Sequence, residues 1–335
     1  MLVDAHAHLL PRDYPADAPD CFPRMEPIEG STSRNLIFGG PRAFQARDVF
    51  FEAERRIEEQ DSSGVNAEIV TPMPPLLRYD LPAADGLALA RYVNEFTAGM
   101  CAHDPARLIG LGMLPLQDVD ASAAELEAVA GLGLRGVEIA SNVLGTPIGD
   151  ERFLPFFAEA ERLGLAIFVH AMPTGESKLP VAARGTYVVG LEGATAAASL
   201  VTGGTAAKCP ELRICFSHGA GGYPLMLPRA QYFWGGAWNE EPVVPERAIM
   251  HDDGPSPIQY ARRFYYDSLV FDRRALRYLI DLLGSDRLLV GSDFPAMARE
   301  EPAGRTLRTL ELTAAQLEDI TWNNAFRWLG IGPRQ

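Results

Sequence analysis

Short apolar runs rich in β-branched and aromatic residues alternate with longer amphipathic stretches along nearly the whole chain. Apolar runs of four to nine residues bounded by polar segments are typical of buried strands. Such strands, when helices separate them, favour a parallel sheet covered by those helices. Eight runs fit this description: LVDAHAH (2–8), AEIVTPM (67–73), LIGLGMLPL (108–116), GVEIAS (136–141), AIFVHA (166–171), RICFSHG (213–219), FYYDSL (264–269) and LLVGSDFP (288–295).

The amphipathic stretches carry apolar residues three or four positions apart and predict helices. Several end in glycine, at Gly64, Gly133 and Gly164, where a left-handed C-terminal cap is expected. Eight strands separated by helices predict a (β/α)8 TIM barrel, while a doubly wound open sheet would give the same local alternation. The clearest helical stretches cover residues 53–64, 85–104, 121–133 and 150–164.

Two segments interrupt the alternation. Residues 11–50 are rich in Pro, Gly and Asp and contain a hairpin-like NLIFGGPRAF, which predicts a small insertion after the first strand. Residues 236–260 predict a long loop with a short helix. Because α/β barrels of this size form single units, we expect one domain over residues 1–335 with an insertion at about 11–50.

Composition and charge argue against several classes of binding partner. The 335 residues carry a formal net charge of −14, which argues against nucleic acid or an anionic membrane surface. No apolar stretch approaches 18 residues, and the first strand does not resemble a signal peptide. No Gly-x-Gly-x-x-Gly follows that strand, so nothing favours a dinucleotide site. No organic cofactor is expected. A cytoplasmic location with reduced thiols is expected, because no C-x-x-C spacing joins Cys21, Cys101, Cys209 and Cys215.

Two histidines one residue apart on the first strand raise the question of a metal. Alternation along a strand would place His6 and His8 side by side, with Val3, Ala5 and Ala7 on the opposite face. A His-x-His pair is a weak metal signal by itself, since many exposed pairs bind nothing. The remaining strands decide its meaning.

Three further polar residues fall at strand ends. His170 ends the fifth predicted strand, His218 the sixth, and Asp293 lies in the eighth. Each alone could be a core or capping residue, but the carboxyl ends of barrel strands converge on one face. Together with the first-strand pair they satisfy the ligand count of a catalytic metal site. By contrast, His103 at a helix end and His251 in the long loop are not expected to bind metal.

The motifs DAHAH, FVHA, CFSHGAGGYP and LLVGSDFP, in that order and spacing, resemble the amidohydrolase superfamily. They are most similar to its branch of aminocarboxymuconate-semialdehyde decarboxylase-like enzymes. The stretches RRIEEQDSSGV (55–65), LPLQDVD (114–120), RRFYYDSLVFD (262–272) and GSDRLLVGSDFP (284–295) agree, so the resemblance covers most of the chain. It implies a (β/α)8 barrel and a metal-dependent carboxy-lyase.

The resemblance implies a role for each strand-end residue. His6, His8, His170 and Asp293 would bind one divalent metal, with a water or substrate oxygen completing the ligand shell. His218 would be the nearby acid or base. Zinc is the first expectation and manganese the second, because three imidazoles and a carboxylate suit zinc but also accept manganese, cobalt or iron. A single metal is favoured because the fourth strand carries Glu138 where two-metal relatives commonly have a bridging lysine.

Two arginines enter by the same resemblance. Arg56 matches a substrate-binding arginine, although Arg55 could replace it. Arg229 matches an arginine supplied by a neighbouring subunit, which implies a homodimer. Arginines orient carboxylates by paired hydrogen bonds, as a small carboxylated substrate requires.

The expected activity is non-oxidative decarboxylation of a carboxylated aromatic acid or an aromatic ring-cleavage product. Either a water activated by His218 adds to the substrate, or Asp293 shuttles a proton to the ring carbon; the sequence leaves both open. The substrate is less defined than the metal site, because residues 171–175 and 178–193 depart from the semialdehyde decarboxylase pattern. Alternatives are a metal-dependent hydrolase or hydratase of a lactone, amide or enol acid, and a non-catalytic metal-binding protein.

Overall fold

Eight short parallel strands form the centre of the molecule. The structure is a computed structural model that describes residues 1–38, 42–173, 179, 181–238 and 241–332. The barrel strands are β1 (Val3–Leu9), β2 (Ala67–Pro72), β3 (Leu108–Gly110, continued by Gly112–Met113), β4 (Gly136–Ala140), β5 (Ala166–His170), β6 (Ile214–Phe216), β7 (Tyr265–Asp267) and β8 (Leu288–Leu289).

These strands close into a barrel. Parallel pairing runs from β1 through β2 to the first half of β3, and from its second half through to β8. The first and last strands then meet, because Ala5 N–H donates to Val290 O and His8 N–H donates to Phe294 O, each at 2.7 Å. The predicted (β/α)8 barrel is therefore confirmed, and the open doubly wound sheet is not the fold.

Helices cover the outside of the barrel at the positions that periodicity predicts. Gly64 and Gly164 end two of them in the left-handed conformation, at φ 75° and 64°, because glycine adopts positive φ without steric cost. The third predicted cap, Gly133, follows the end of its helix and is also left-handed. The described helices are α1 (Ala53–Ser63), α2 (Ala83–His103), α3 (Val119–Gly131), α4 (Leu154–Leu163), α5 (Val181–Thr202), α6 (Thr205–Lys208), α7 (Tyr223–Gly235), α8 (Pro257–Ala261), α9 (Arg273–Leu283), α10 (Ala314–Glu318) and α11 (Asn324–Leu329).

The first strand differs from simple alternation. The pairing of β1 with β2 shifts register between Asp4 and Ala7, and the shift changes which side chains face inward. His6 and His8 share the inner face as predicted, but Val3 and Ala5 also pack in the inner cluster. The prediction that both lie on the opposite face from the histidines is therefore wrong.

The C-terminal segment fills the end of the barrel opposite the carboxyl ends of the strands. Trp322, Phe326 and Trp328 join the inner cluster, and the Trp328 ring lies 6.0 Å from the Phe168 ring between centroids. Such aromatic side chains bury a large apolar area. Apolar packing thus closes this end of the barrel.

The insertion after β1 folds as a three-stranded antiparallel sheet of Arg24–Pro27, Arg34–Ile37 and Arg42–Ala46. The second and third strands form the predicted hairpin, whose turn at residues 39–41 lies outside the described residues. In the long loop, the predicted short helix is α8, which begins with a capping box at Ser256. Among the described helices, none is long and apolar enough to span a membrane.

Candidate metal centre and active site

Four histidine rings meet at the carboxyl end of the barrel. His6 and His8 project from β1, and His170 is the last residue of β5. Ring centroids lie 5.0 Å apart for His6 and His8, 5.3 Å for His6 and His170, and 5.3 Å for His6 and His218. The predicted convergence of residues from distant parts of the chain is present in the structure.

His218 and Asp293 reach this cluster from sharp turns rather than from strands. Their φ angles are 53° and 59°, in the left-handed region that non-glycine residues rarely occupy. Asp293 N–H donates to His6 O at 2.8 Å, which fixes the turn against β1. Backbone strain of this kind is maintained only where the surroundings determine the conformation, and it is common at active sites.

The candidate ligand atoms surround one point. One ligand atom from each of His6, His170, His218 and Asp293 lies within 4.8 Å of the others. His8 adjoins this group, because its Nε2 lies 3.1 Å from His6 Nε2 and 3.1 Å from Asp293 Oδ1. His8 and His218 both adjoin the shared point, so the division of roles between them stays a prediction.

Each of three imidazoles is held by its Nδ1 atom, which turns its Nε2 atom toward the shared point. His6 Nδ1 bonds Asp267 Oδ2 at 2.6 Å, His8 Nδ1 bonds Thr71 Oγ1 at 2.9 Å, and His170 Nδ1 bonds Ala171 O at 3.1 Å. His170 Nε2 is buried and has no hydrogen-bond partner in the described structure. Metal-binding histidines are typically oriented in this way by a second hydrogen bond.

Asp267 is a functional position that the sequence reasoning missed. It ends β7 and is fully buried, and its Oδ1 accepts hydrogen bonds from Gly219 N–H and Leu269 N–H, both at 3.1 Å. It therefore joins the orientation of His6 to the turn that carries His218. A signal existed in the sequence, because Asp267 lies near the end of the seventh predicted strand, as Asp293 lies near the end of the eighth.

Burial and neighbouring charge set the protonation of the cluster. Burial by itself would lower the pKa of His6, but the hydrogen bond to Asp267 and the nearby carboxylates outweigh burial and raise this pKa to about 9. Burial lowers the pKa of His8, His170 and His218, so these imidazoles are neutral near pH 7. Burial opposes ionisation of Asp293, yet the His8 hydrogen bond and the imidazole charges lower its pKa strongly.

Glu138 lies beside the cluster inside the barrel. It is fully buried on β4, and its Oε2 atom lies 3.7 Å from His8 Nδ1. Burial raises its pKa to about 8, so the carboxyl group is mostly protonated at neutral pH. A neutral acid thus occupies this position of β4 beside the cluster.

A mainly apolar pocket of about 750 Å³ lies above the cluster. His170, His218 and Asp293 line one end of it. The other described lining residues are Val189, Gly190, Gly221, Pro224, Leu225, Leu269, Val270, Phe271, Arg274, Ala275, Tyr278, Leu279 and Met297. A volume of this size and an apolar wall suit a small ring-bearing molecule.

The structure does not bring Arg56 to this pocket. Arg56 is fully buried between α1 and β1, where it pairs with Glu68 and donates through Nη1 to His8 O at 2.7 Å. Glu68 also pairs with Arg299, which bonds Asp4 Oδ2 at 2.9 Å. Direct substrate contact by Arg56 therefore does not agree with its placement, and Arg55, the alternative, pairs with Glu58 on the surface.

Arg229 lies exposed on α7, with its guanidinium 4.6 Å from the centre of the Phe233 ring. It is not among the described residues that line the pocket of its own chain. His103, at the end of α2, and His251, beside Trp234, lie outside the cluster, as expected.

Comparison with known proteins agrees with this fold. Residues 3–331 match the amidohydrolase family, and the chain belongs to that family. It is 29% identical over 349 residues to 2-amino-3-carboxymuconate-6-semialdehyde decarboxylase of Dictyostelium discoideum, with 99% of this chain and 92% of that protein covered.

Solved structures of decarboxylases are also similar to this chain. The crystal structure of 5-carboxyvanillate decarboxylase from Sphingomonas paucimobilis is 29% identical, with a TM-score of 0.71 over 83% of this chain and 82% of that one. A dihydroxybenzoic acid decarboxylase from Polaromonas sp. JS666, solved with bound manganese and 2-nitroresorcinol, has a TM-score of 0.70 at 23% identity, covering 83% and 85%. That second likeness concerns the fold alone.

Proposed function

We propose that the protein is a metal-dependent non-oxidative decarboxylase of a carboxylated aromatic acid or an aromatic ring-cleavage product. The observation that carries the proposal is the arrangement of Nε2 atoms and one carboxylate around a single point, directly beneath an apolar pocket. The decarboxylase names of the relatives give independent support.

The residues present fit one divalent cation. His6, His8, His170 and Asp293 would hold it, because imidazoles oriented through Nδ1 and an ionised carboxylate are the donors that such ions prefer. His8 and His170 are neutral near pH 7, and metal binding would release the extra proton of His6. The buried Nε2 atom of His170, which has no protein partner in the described structure, is the clearest sign of the fit. When bound, the cation supplies positive charge that stabilises negative charge developing on the substrate. Zinc is our first assignment and manganese the second.

His218 and Asp293 would manage protons around this centre. Loss of CO2 leaves an electron pair on carbon, and a proton must be delivered to that atom. His218 is positioned for this transfer because it adjoins both the cluster and the pocket. Asp293 shares both surroundings and is the alternative proton carrier. The apolar wall excludes water and packs against the ring.

The proposal is tested by CO2 release from the metal-replete protein. The panel contains aminocarboxymuconate semialdehyde, 2-hydroxybenzoates, 2-aminobenzoates and 5-carboxyvanillate. We expect release from at least one acid, lost on chelation and in His218→Asn. His103→Asn is the matched control, because His103 lies outside the cluster, and it should keep the activity. If the metal-bound protein released CO2 from none of these acids, the hydrolase or hydratase would be favoured.

We further propose a homodimer in which Arg229 reaches the active site of the partner subunit. The exposed face around α7 supports this arrangement, since Leu225 and Met226 are 69% and 55% exposed and Trp238 is 69% exposed. Exposed large apolar side chains along one segment are a common feature of interfaces.

A mixing experiment tests the shared site. Arg229→Ala and His218→Asn should each be inactive alone, yet their random mixture should recover about a quarter of the sites, because one site of each hybrid dimer is intact. No recovery after verified subunit exchange would show that both residues serve the same subunit.

As a smaller part of the proposal, we assign the enzyme to the cytoplasm with its four cysteines reduced. No disulfide joins the described cysteines.

A further inference from the structure

One face of α9 forms a wall of the pocket. The lining residues Arg274, Ala275, Tyr278 and Leu279 are spaced so that their side chains lie on one side of the helix, and Phe271 lies just before its N-cap. Four of them are apolar or aromatic. The arginine, near the amino end of the helix, is the exception.

Arg274 is the one Lys or Arg among the described lining residues of the pocket. Its side chain is 88% exposed, and it is held by Asp272, the N-cap of α9, through Nε–Oδ1 and Nη2–Oδ2 contacts of 3.1 and 2.9 Å. A guanidinium already arranged for a carboxylate in this paired geometry can bind a second carboxylate in the same way. The ion pair with Asp272 is exposed and therefore weak, so it can be exchanged for a ligand.

We propose that Arg274 selects substrates with a second acidic group. The inference rests on the proposed function: the reacting carboxylate lies at the histidine cluster, the ring packs on the apolar wall of α9, and the second carboxylate pairs with Arg274 at the pocket mouth. This assignment takes the place of direct recognition by the buried Arg56. It defines the substrate class as aromatic or ring-opened dicarboxylates.

Neighbouring arginines on the same helix provide the contrast. Arg277 is also partly exposed and pairs with Asp281 at 2.7 Å, but it is not among the lining residues. If positive charge in general strengthened the binding of anions, both arginines would contribute to it. Recognition of the second carboxylate inside the pocket depends on Arg274 alone. Asp272→Asn offers a second test, since asparagine is also a good N-cap and keeps the helix start while releasing the guanidinium.

The experiment is calorimetric binding of isophthalate and benzoate to the zinc-loaded protein. The two probes differ by one carboxylate, so the ratio of their affinities isolates its recognition without requiring catalysis. We expect isophthalate to bind more tightly, by about fivefold for a contact of this exposure. Arg274→Gln should remove that preference, Arg277→Gln should keep it, and Asp272→Asn should increase it.

Three results would overturn the inference: no preference for isophthalate in the wild type, including no binding of either probe; an unchanged preference in Arg274→Gln; or an equal loss in Arg277→Gln. CO2 release from the acids of the substrate panel is measured with the same protein preparations. Failure of the proposed function would show as absent CO2 release, whatever the binding ratio. Failure of the inference would show in the ratio, whatever the activity.

Discussion

Replacing Asp267 by asparagine changes one atom beneath the histidine cluster. Asp267 Oδ1 accepts two backbone N–H groups, and Oδ2 lies 2.6 Å from His6 Nδ1. In Asp267→Asn the amide oxygen keeps the two backbone donors, because an NH2 group facing them would lose both hydrogen bonds. The NH2 group then faces His6 Nδ1, which must become an acceptor.

The consequence is a change of tautomer. With Nδ1 unprotonated, the proton of neutral His6 lies on Nε2, the atom that would bind the metal. Loss of such an orienting partner typically lowers metal affinity about 10- to 100-fold, equivalent to about 1.4 to 2.8 kcal/mol. We expect a loss of that size, because no other hydrogen bond to His6 Nδ1 is described.

The assay is competition for zinc and manganese against a chelating fluorophore, with circular dichroism to verify folding. Asp272→Asn, an exposed position five residues further along, is the control and should bind metal like the wild type. Equal affinity of Asp267→Asn and wild type, within twofold, would refute the reasoning. It would mean either that His6 is not a ligand or that its orientation does not depend on Asp267.

Three further predictions concern stability. Glu68→Gln leaves two buried guanidinium groups without their shared carboxylate and should cost about 3 to 5 kcal/mol in urea unfolding. Glu58→Gln, which removes an exposed pair with Arg55, should leave the unfolding midpoint unchanged; similar losses in both would contradict the distinction. Removing the metal should lower the melting temperature, since saturation a thousandfold above Kd contributes about 4 kcal/mol; an unchanged melting temperature would argue against a bound metal. Gly136→Ala would place a Cβ 1.9 Å from Ala166 O and should destabilise the barrel, whereas Gly131→Ala has open space; equal stability of both would contradict the packing.

The sequence predicted the site correctly where polar, metal-binding residue types fell at positions that the periodicity of the strands places together. Alternation correctly paired His6 with His8, and the strand-end rule brought His170, His218 and Asp293 to the same place. These residues are polar in otherwise apolar runs, so they are visible without a structure. The barrel followed from the same alternation of strands and helices.

The failures have local causes. A register shift in β1 cannot be read from VDAHAH, so the inward position of Val3 and Ala5 was missed. Arg56 belongs to a polar buried stripe on α1, with Gln60 and Ser63, which an apolar period does not reveal. Its partner Glu68 comes from β2, and only tertiary contact shows that the guanidinium is already occupied. Single-domain organisation and the exact ligand set stay predictions.

The most direct test of the decarboxylase assignment follows the carboxyl carbon itself. A substrate identified by the panel is labelled with ¹³C at the reacting carboxylate and turned over in D2O by the metal-loaded protein, with products observed by NMR. The account predicts that the label leaves entirely as CO2 and bicarbonate, and that one deuterium appears on the vacated carbon. A product that retains the labelled carboxylate and has gained water would contradict it and identify a hydrolase or hydratase.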